Sequence, residues 1–351
     1  MKVLVTGGCG FLGSNLAAAY LCDGVDVVVL DALFRAGSEA NLAWLRSQAG
    51  VSGLTFEKGD VAEPELVNGV FEKHGPFDYV CHLAGQVAMT TSLSNPRRDM
   101  LTNVVGTFNL LEAVRAHCPD ALVAYSSTNK VYGDLRHLEY AEGPARFTVP
   151  AYPNGFDESL SLDFASPYGC SKGAADQYVR DWFRNFGVKT VVFRHSSIYG
   201  GRQFSTFDQG WIGWFCEKAL DQAKARRSNA AVKPFTISGT GKQVRDVLHA
   251  EDLVRLYQAA LNRKDVCAGK IFNIGGGIDN SLSLLELFAM LKQQTNQVEP
   301  LVFERLPRRQ SDQDYFVADI GKANRLLGWS PLISAEEGVS RMLQWTASTA
   351  R

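Results

Sequence analysis

No apolar run in this chain approaches the ~18 residues that a membrane-spanning helix needs, so no membrane partner is expected. None of the seven cysteines stands in Cys-x-x-Cys spacing. Cys9, Cys22, Cys81, Cys118, Cys170, Cys216 and Cys267 are scattered and odd in number. That fits reduced thiols in a cytoplasm, not a disulfide frame or a zinc site, and no metal is expected. Charge of one sign is missing too. The 36 basic and 37 acidic residues leave a net charge of −1, without the footprint of a nucleic-acid or membrane-surface binder. Internal repeats, low-complexity tracts and flexible linkers are absent. The opening Lys2-Val-Leu-Val-Thr6 reads as a strand and not as a leader.

What is present is a sizeable core. Apolar residues make up 46% of 351, enough for one large domain or a nucleotide-binding domain with a smaller lobe. Short β-rich runs at 3–6, 25–30, 54–57, 79–83, 122–126 and 190–193 alternate with helical patterns at 10–21, 63–73, 96–117 and 167–186. Buried strands alternating with helices predict an α/β fold, a Rossmann-type doubly wound parallel sheet. The alternation loses regularity near Tyr199. We therefore place the dinucleotide-binding domain at 1–198 and a smaller C-terminal α/β substrate lobe at 199–351, packed tightly enough to form a cleft.

Gly7, Gly10 and Gly13 follow the first strand and open the first helix. At such a turn a pyrophosphate approaches backbone amides at the positive end of a helix. Asp31 ends the second strand about 20 residues on, where a carboxylate accepts from the ribose 2′-OH of NAD and repels the 2′-phosphate of NADP. Arg35 is near enough to soften that preference. Asp60, beside Val61, is placed to bond the adenine amino group. Leu83-Ala84-Gly85-Gln86 closes the fourth strand with small residues where a cofactor would pass. Asn103 lies on the next helix, either on a solvated face or bonded across to a loop. The fifth strand delivers Ser126, Ser127 and Thr128 to the end where doubly wound sheets place ligands. Residues 134–165, with Pro144, Pro150 and Pro153, form a long excursion near the site or at a subunit contact.

Ser166-Pro167 starts the next helix with a capping residue and a first-turn proline. Tyr168 and Lys172 follow on one helical face. A phenol titrates near ~10, and a neighbouring ammonium lowers that value. The pair is therefore predicted to make a tyrosine that serves as a base near neutral pH, with Lys172 pulling its pKa down.

Thr6-Gly-Gly-x-Gly-Phe-Leu-Gly13, Leu83-Ala-Gly-Gln86, Asn103-Val-Val-Gly-Thr107, Ser126-Ser-Thr128, Tyr168-x-x-x-Lys172 and Gly241-Lys-Gln-Val-Arg-Asp246 occur in this order along almost the whole chain. In this the chain resembles the extended short-chain dehydrogenases/reductases that act on nucleotide sugars. Gln86 to Ser92, Ser126 to Gly133, Ser166 to Tyr178 and Phe193 to Gln203 carry the likeness further, to the epimerases that act at C2 of a CDP-linked hexose. The resemblance implies roles. Thr128 would bond the reacting hydroxyl, Tyr168 would be the base, and Lys172 would hold the nicotinamide ribose. Phe11, Leu12, Asn103 and His195 would join the cofactor site. Gln86, Asn129 and Ser197 would face the sugar, and Arg202, Arg245 and Arg309 would hold the diphosphate, with Arg308 able to substitute for Arg309. It also implies a tightly bound NAD regenerated each turnover, a CDP-sugar substrate, a dimer or tetramer, and carbohydrate metabolism of the O-antigen kind. The same residues would serve a UDP-sugar 4-epimerase or a net NAD-dependent dehydrogenase; a nucleotide-sensing module would not need Tyr168. One departure bears on the reaction. The related 4,6-dehydratases carry an Asp-Glu pair directly after the Thr, whereas this chain has Asn129 and Lys130, so the acid and base that elimination needs are absent.

Overall fold

The computed structural model describes residues 1–48, 50–87, 89–206, 209–308 and 312–349, with Met89 and Thr90 described by backbone alone. Strands β1 (Lys2–Thr6), β2 (Asp26–Asp31), β3 (Leu54–Lys58), β4 (Tyr79–His82), β5 (Leu122–Thr128), β6 (Thr190–His195) and β7 (Lys270–Ile274) form one seven-stranded sheet. Its order is β7-β6-β5-β4-β1-β2-β3, with every neighbouring pair parallel. The order reverses between β1 and β4. A crevice opens there at the carboxyl ends of the strands, which is where this architecture binds ligands.

Successive side chains of a strand point to opposite faces, so each sheet face has its own core. Val3 and Val5 pack with Leu16, Leu21, Val27 and Val29. Leu4 packs with Val28, Leu110, Val114 and Val179 on the other side. The helical run after β4 widens to a π turn at Met100–Val105 before Gly106–His117 resumes regular geometry. The sequence reading took the whole run as a single helix.

The second lobe is built around Val244–His249, which pairs with Ser197–Tyr199, Ser281–Ser283 and Tyr315–Phe316. Helices Trp211–Arg227, Leu284–Gln294 and Ala335–Thr349 cover it, around a core that includes Phe215, Phe235, Phe288 and Met342. The chain does not stay in this lobe after residue 198. Helix Ala250–Asn262 and strand β7 return to the large sheet, and Leu256, Tyr257, Ala323 and Trp329 pack into the same core as Val3. Sequence periodicity missed both β7 and Val244–His249, since Asn273, Arg245 and Asp246 interrupt their apolar runs.

The excursion 134–165 runs across the surface, exposed or half-buried for most of its length, and straps the lobes together through a few buried side chains. Val149 and Phe156 pack with Val131, Tyr132, Tyr315 and Phe316. The Phe156 amide donates to the Val317 carbonyl at 2.7 Å. Arg146 holds Glu286 through Nε and Nη2 at 2.7 and 2.6 Å.

The helix Pro167–Phe186 is pinned beneath the sheet by a buried ion pair. Arg194 on β6 donates through Nε and Nη2 to the two oxygens of Asp176, each at 2.9 Å. Ser127 Oγ donates to Asp176 Oδ2 at 2.8 Å, and Arg194 Nη1 donates to Tyr132 Oη at 2.9 Å. The paired side chains are 2% and 0% exposed, so removing one partner strands a charge out of water. Arg194→Met should lose about 3–5 kcal/mol of stability, measured by urea unfolding. A loss within the error of the extrapolation would remove the pair from its pinning role.

Candidate active site

One cavity of about 960 Å³ runs along the crevice and into the second lobe. Its cofactor end is shaped by glycine. Gly7 sits at φ +68°, and a Cβ there would lie 2.7 Å from the Ala84 amide; one on Gly13 would lie 2.2 Å from the Gly7 carbonyl. No other residue fits this close approach. Asp31 lines the same end. Its Oδ2 accepts from the Cys9 amide at 2.9 Å and its Oδ1 from the Leu33 amide at 2.7 Å, so the carboxylate also braces the glycine turn. Burial raises its pKa against those backbone bonds. Asn41, which the sequence reading passed over, donates to the carbonyls of Cys9 and Arg202 at 3.1 and 3.2 Å.

Asp60 lies on the cavity wall beside Val61, but its Oδ2 is paired with Arg98 at 2.8 Å and its Oδ1 accepts from the Ala62 amide at 3.0 Å. Arg98 in turn stacks over Phe34 at 4.8 Å. Neither Arg98 nor Phe34 carried a signal in the sequence. Phe11, Leu12, Gly10, Arg35, Leu83, Ala84 and Gly85 line the cavity. Asn103 stands behind the wall. Its Oδ1 accepts from the Gln86 amide at 2.9 Å, and its Nδ2 donates to the Gln86 carbonyl at 3.2 Å and to Ser171 Oγ at 2.9 Å. Of the alternatives open from sequence, the bond across to a loop is the one formed, and the amide is spent on protein instead of a ligand.

Thr128, Tyr168 and Lys172 converge at the mouth of β5. Ser166 caps the helix N-terminus, accepting from the Gly169 amide at 3.0 Å, and this sets the first-turn tyrosine. Thr128 and Tyr168 line the same stretch of the cavity, and the Thr128 hydroxyl acts to lower the tyrosine's pKa. The predicted electrostatics needs correction. Burial pushes Tyr168 up to about 12; Asp99 adds to the rise and Thr128 opposes it. Lys172 donates to the Ser126 carbonyl and lies 4.4 Å from the Tyr125 ring centre. Its own pKa falls to about 7 through burial, against the charge of Asp176. In the protein alone, the proton that leaves near neutrality is thus the lysine's. Shared helical spacing placed both groups on one face, but taking both out of water separates their pKa values in the direction opposite to the sequence expectation.

His195 Nδ1 lies 3.2 Å from Ser126 Oγ, while its Nε2 is buried without a hydrogen-bond partner among the described residues. Burial and then Lys172 push its pKa down to about 3, so the ring is neutral. An unpartnered ring nitrogen and a glycine cradle that a Cβ would fill, lining one cavity, fit a dinucleotide. Ser127 is turned to Asp176.

Toward the second lobe, Gln86, Asn129, Ser197, Arg202 and Arg245 line the cavity. Asn129 Nδ2 donates to Gln313 Oε1 at 3.1 Å, and Ser197 Oγ accepts from Trp211 Nε1 at 3.2 Å. Arg202 lies over Trp44 at 4.8 Å. Arg245 Nη2 donates to Asp312 Oδ1 at 2.7 Å and to the Gln313 carbonyl at 2.8 Å. Arg308 points to Asp314 at 3.0 Å and is absent from the lining. Arg309 lies outside the described residues. Asp312 and Gln313 went unseen in sequence, where nothing marks a lone Asp-Gln so far from the strand ends.

The GDP-mannose 4,6 dehydratase family matches residues 4–342. The chain belongs to that family. Within the GDP-mannose 4,6 dehydratase family, a CDP-paratose 2-epimerase of Salmonella typhi is 55% identical over 99% of this chain and 100% of its own length. A dTDP-glucose 4,6-dehydratase of Salmonella typhimurium is 31% identical over 98% of this chain and 92% of its own. Among solved structures, a Bacillus cereus UDP-glucuronic acid 4-epimerase in complex with UDP-glucuronic acid and NAD superimposes with a TM-score of 0.80, at 26% identity and 99% coverage of each chain. Carbon NMR of isotopically labelled lysine should find Lys172 titrating near 7 and Lys130 near 8, each signal vanishing in its own Met variant. A Lys172 midpoint near the ordinary ~10 would overturn the assignment to burial.

Proposed function

We propose that this enzyme epimerises C2 of a CDP-linked hexose, as the name of the Salmonella typhi relative states for that protein, with NAD bound throughout. The observation that carries the reading is the corner formed by Thr128, Tyr168 and Lys172, followed in sequence by Asn129 and Lys130. Such a corner moves a proton at a carbinol, yet lacks the carboxylate pair that drives water from the neighbouring carbons. The relative's name selects CDP and C2 over the UDP sugars and C4 of the other neighbours.

Thr128 holds the reacting hydroxyl and Tyr168 takes its proton. Bound NAD supplies reversible two-electron chemistry and, at its oxidised ring, the positive charge beside which a buried phenol ionises. In its protonated form Lys172, held by the Ser126 carbonyl, adds a second cation. The keto sugar then turns its other face, Tyr168 returns the proton, and the centre is inverted. Asp31 suits an unphosphorylated ribose. Arg245 is the best-placed diphosphate contact, since its side chain reaches the cavity from the second lobe.

The test is conversion of CDP-paratose to CDP-tyvelose without added NAD, together with acid extraction of the cofactor. Tyr168→Phe should keep the fold and the bound NAD and slow the first half-reaction by about 10²–10⁴-fold, the range for lost acid–base catalysis. Loss of dependence on Tyr168, extraction of mainly NADP, or a need for stoichiometric NAD would refute the reading.

We also propose that the chain self-associates through the helices Gly106–His117 and Pro167–Phe186. Phe108, Tyr178, Phe183 and Phe186 are exposed there, with Phe108 and Tyr178 packed edge to face at 5.9 Å. Exposed aromatic side chains gathered in this way suit a contact surface. Sedimentation of the wild type should give a dimer or larger, and Tyr178→Asp a smaller species; a monomeric wild type would refute it. All seven cysteines are free, which supports a reducing cytoplasm and is testable by cell fractionation. No described helix is long and apolar enough to cross a membrane.

A further inference from the structure

Lys130 and Asp312 meet on the cavity wall at the point where the two lobes face each other. The Lys130 amide donates to Thr128 Oγ1 at 3.2 Å, which fixes the lysine beside the acid–base corner. Its ammonium lies 3.5 Å from Asp312 Oδ1. The same oxygen accepts from Arg245 Nη2 at 2.7 Å and from the Gln313 amide at 3.0 Å. Among the described residues the side-chain hydrogen bonds of Asp312 all fall on Oδ1 and none on Oδ2, and the side chain keeps 25% exposure. The carboxylate does not wander. Gln313 beside it is fully buried, donates to the Gly133 carbonyl at 2.7 Å and accepts from Asn129.

We infer that the Lys130–Asp312 pair is the specificity-determining contact for a sugar hydroxyl other than the one oxidised, with Asp312 Oδ2 accepting from it and the Lys130 ammonium donating to it or to its neighbour. The inference rests on the nucleotide-sugar reading above and extends it to the sugar. Position supports it, because Lys130 is bonded to Thr128 at 3.2 Å and Asp312 to Arg245, the proposed diphosphate contact, at 2.7 Å. A diphosphate placed directly on Asp312 would set like charges together, whereas a neutral hydroxyl suits the open oxygen. Charge supports it as well. Burial would raise the Asp312 carboxyl, but Arg245 and Lys130 outweigh it and hold the group ionised, so it stays an acceptor. An ion pair also answers a need that a lone charge does not. An epimerised ring presents its substituents in two arrangements each turnover, and an adjacent donor and acceptor can serve both.

The experiment is calorimetry of the NAD-loaded full chain against CDP and against CDP-paratose, for the wild type, Lys130→Met and Asp312→Asn. CDP lacks the sugar. Lys130→Met should leave CDP affinity within about twofold and weaken CDP-paratose by roughly ten- to a hundredfold, the scale of a charge-assisted hydrogen bond. Asp312→Asn, which keeps the shape of the side chain and safeguards the test should Lys130→Met misfold, should leave CDP unchanged or tighter and weaken CDP-paratose alike. Equal weakening of both ligands would make Lys130 a phosphate contact and overturn the inference. So would unchanged affinity for both in the two folded variants. Failure of the wild type to bind CDP at all would instead overturn the nucleotide-sugar reading itself, and it would be evident before any variant is made.

Discussion

Burial of the Asp176 carboxylate is the constraint on which most of this architecture turns. A charge that far from water survives only with a partner in excellent geometry, and Arg194 supplies it through both arms of its fork. The consequences spread through three elements. The pair ties the helix bearing Tyr168 and Lys172 to strands β5 and β6. It orients Ser127 and, through Tyr132, reaches Asn273 on β7. It is also the nearby negative charge that partly offsets the cost of keeping Lys172 protonated. The corner of Thr128, Tyr168 and Lys172 and the sheet edge are thus held by one desolvated contact.

The Tyr168–Lys172 pair shows why sequence spacing carries geometry better than energetics. Tyr168 and Lys172 were legible from the cap and the helical period, because both are local properties. The direction of the tyrosine shift was not, because it depends first on how much water the group loses on burial, and then on Thr128 and Asp99 from elsewhere in the chain, the one lowering and the other raising the pKa. The glycine turn and Asp31 were read correctly in position for the same reason as the helix. That Asp31 also clamps the turn it faces needed coordinates. Asn129 and Gln313 stand 184 residues apart, and no periodicity links them. The strands at 244–249 and 270–274 escaped notice since polar side chains with buried partners, such as Asp246 and Asn273, break the apolar pattern from which strands are recognised.

The cavity draws on both lobes, and its two ends are built differently. The cofactor end is made of backbone: glycines, amides and a carboxylate whose contacts are mostly main chain. The far end is made of side chains, with Arg245, Asp312, Lys130 and Gln313 reaching one another across the cleft. Backbone geometry tolerates little change, while a side-chain network can be rewritten one residue at a time. This division is compatible with relatives named for different sugars.

The return of the chain to the large sheet at helix 250–262 and strand β7 has a bearing on how such proteins diversify. Because the path leaves the sheet after β6, comes back for β7, departs again and then lays Ala323 and Trp329 against the first core, neither lobe is a contiguous segment. No single cut in the gene yields a transferable substrate module, and a break after residue 198 would leave β6 as a bare edge open to unwanted pairing. Recombination by cassette is therefore closed to this architecture. New sugar preferences have to arise in place, by exchange of individual side chains on a wall whose two halves were never separable.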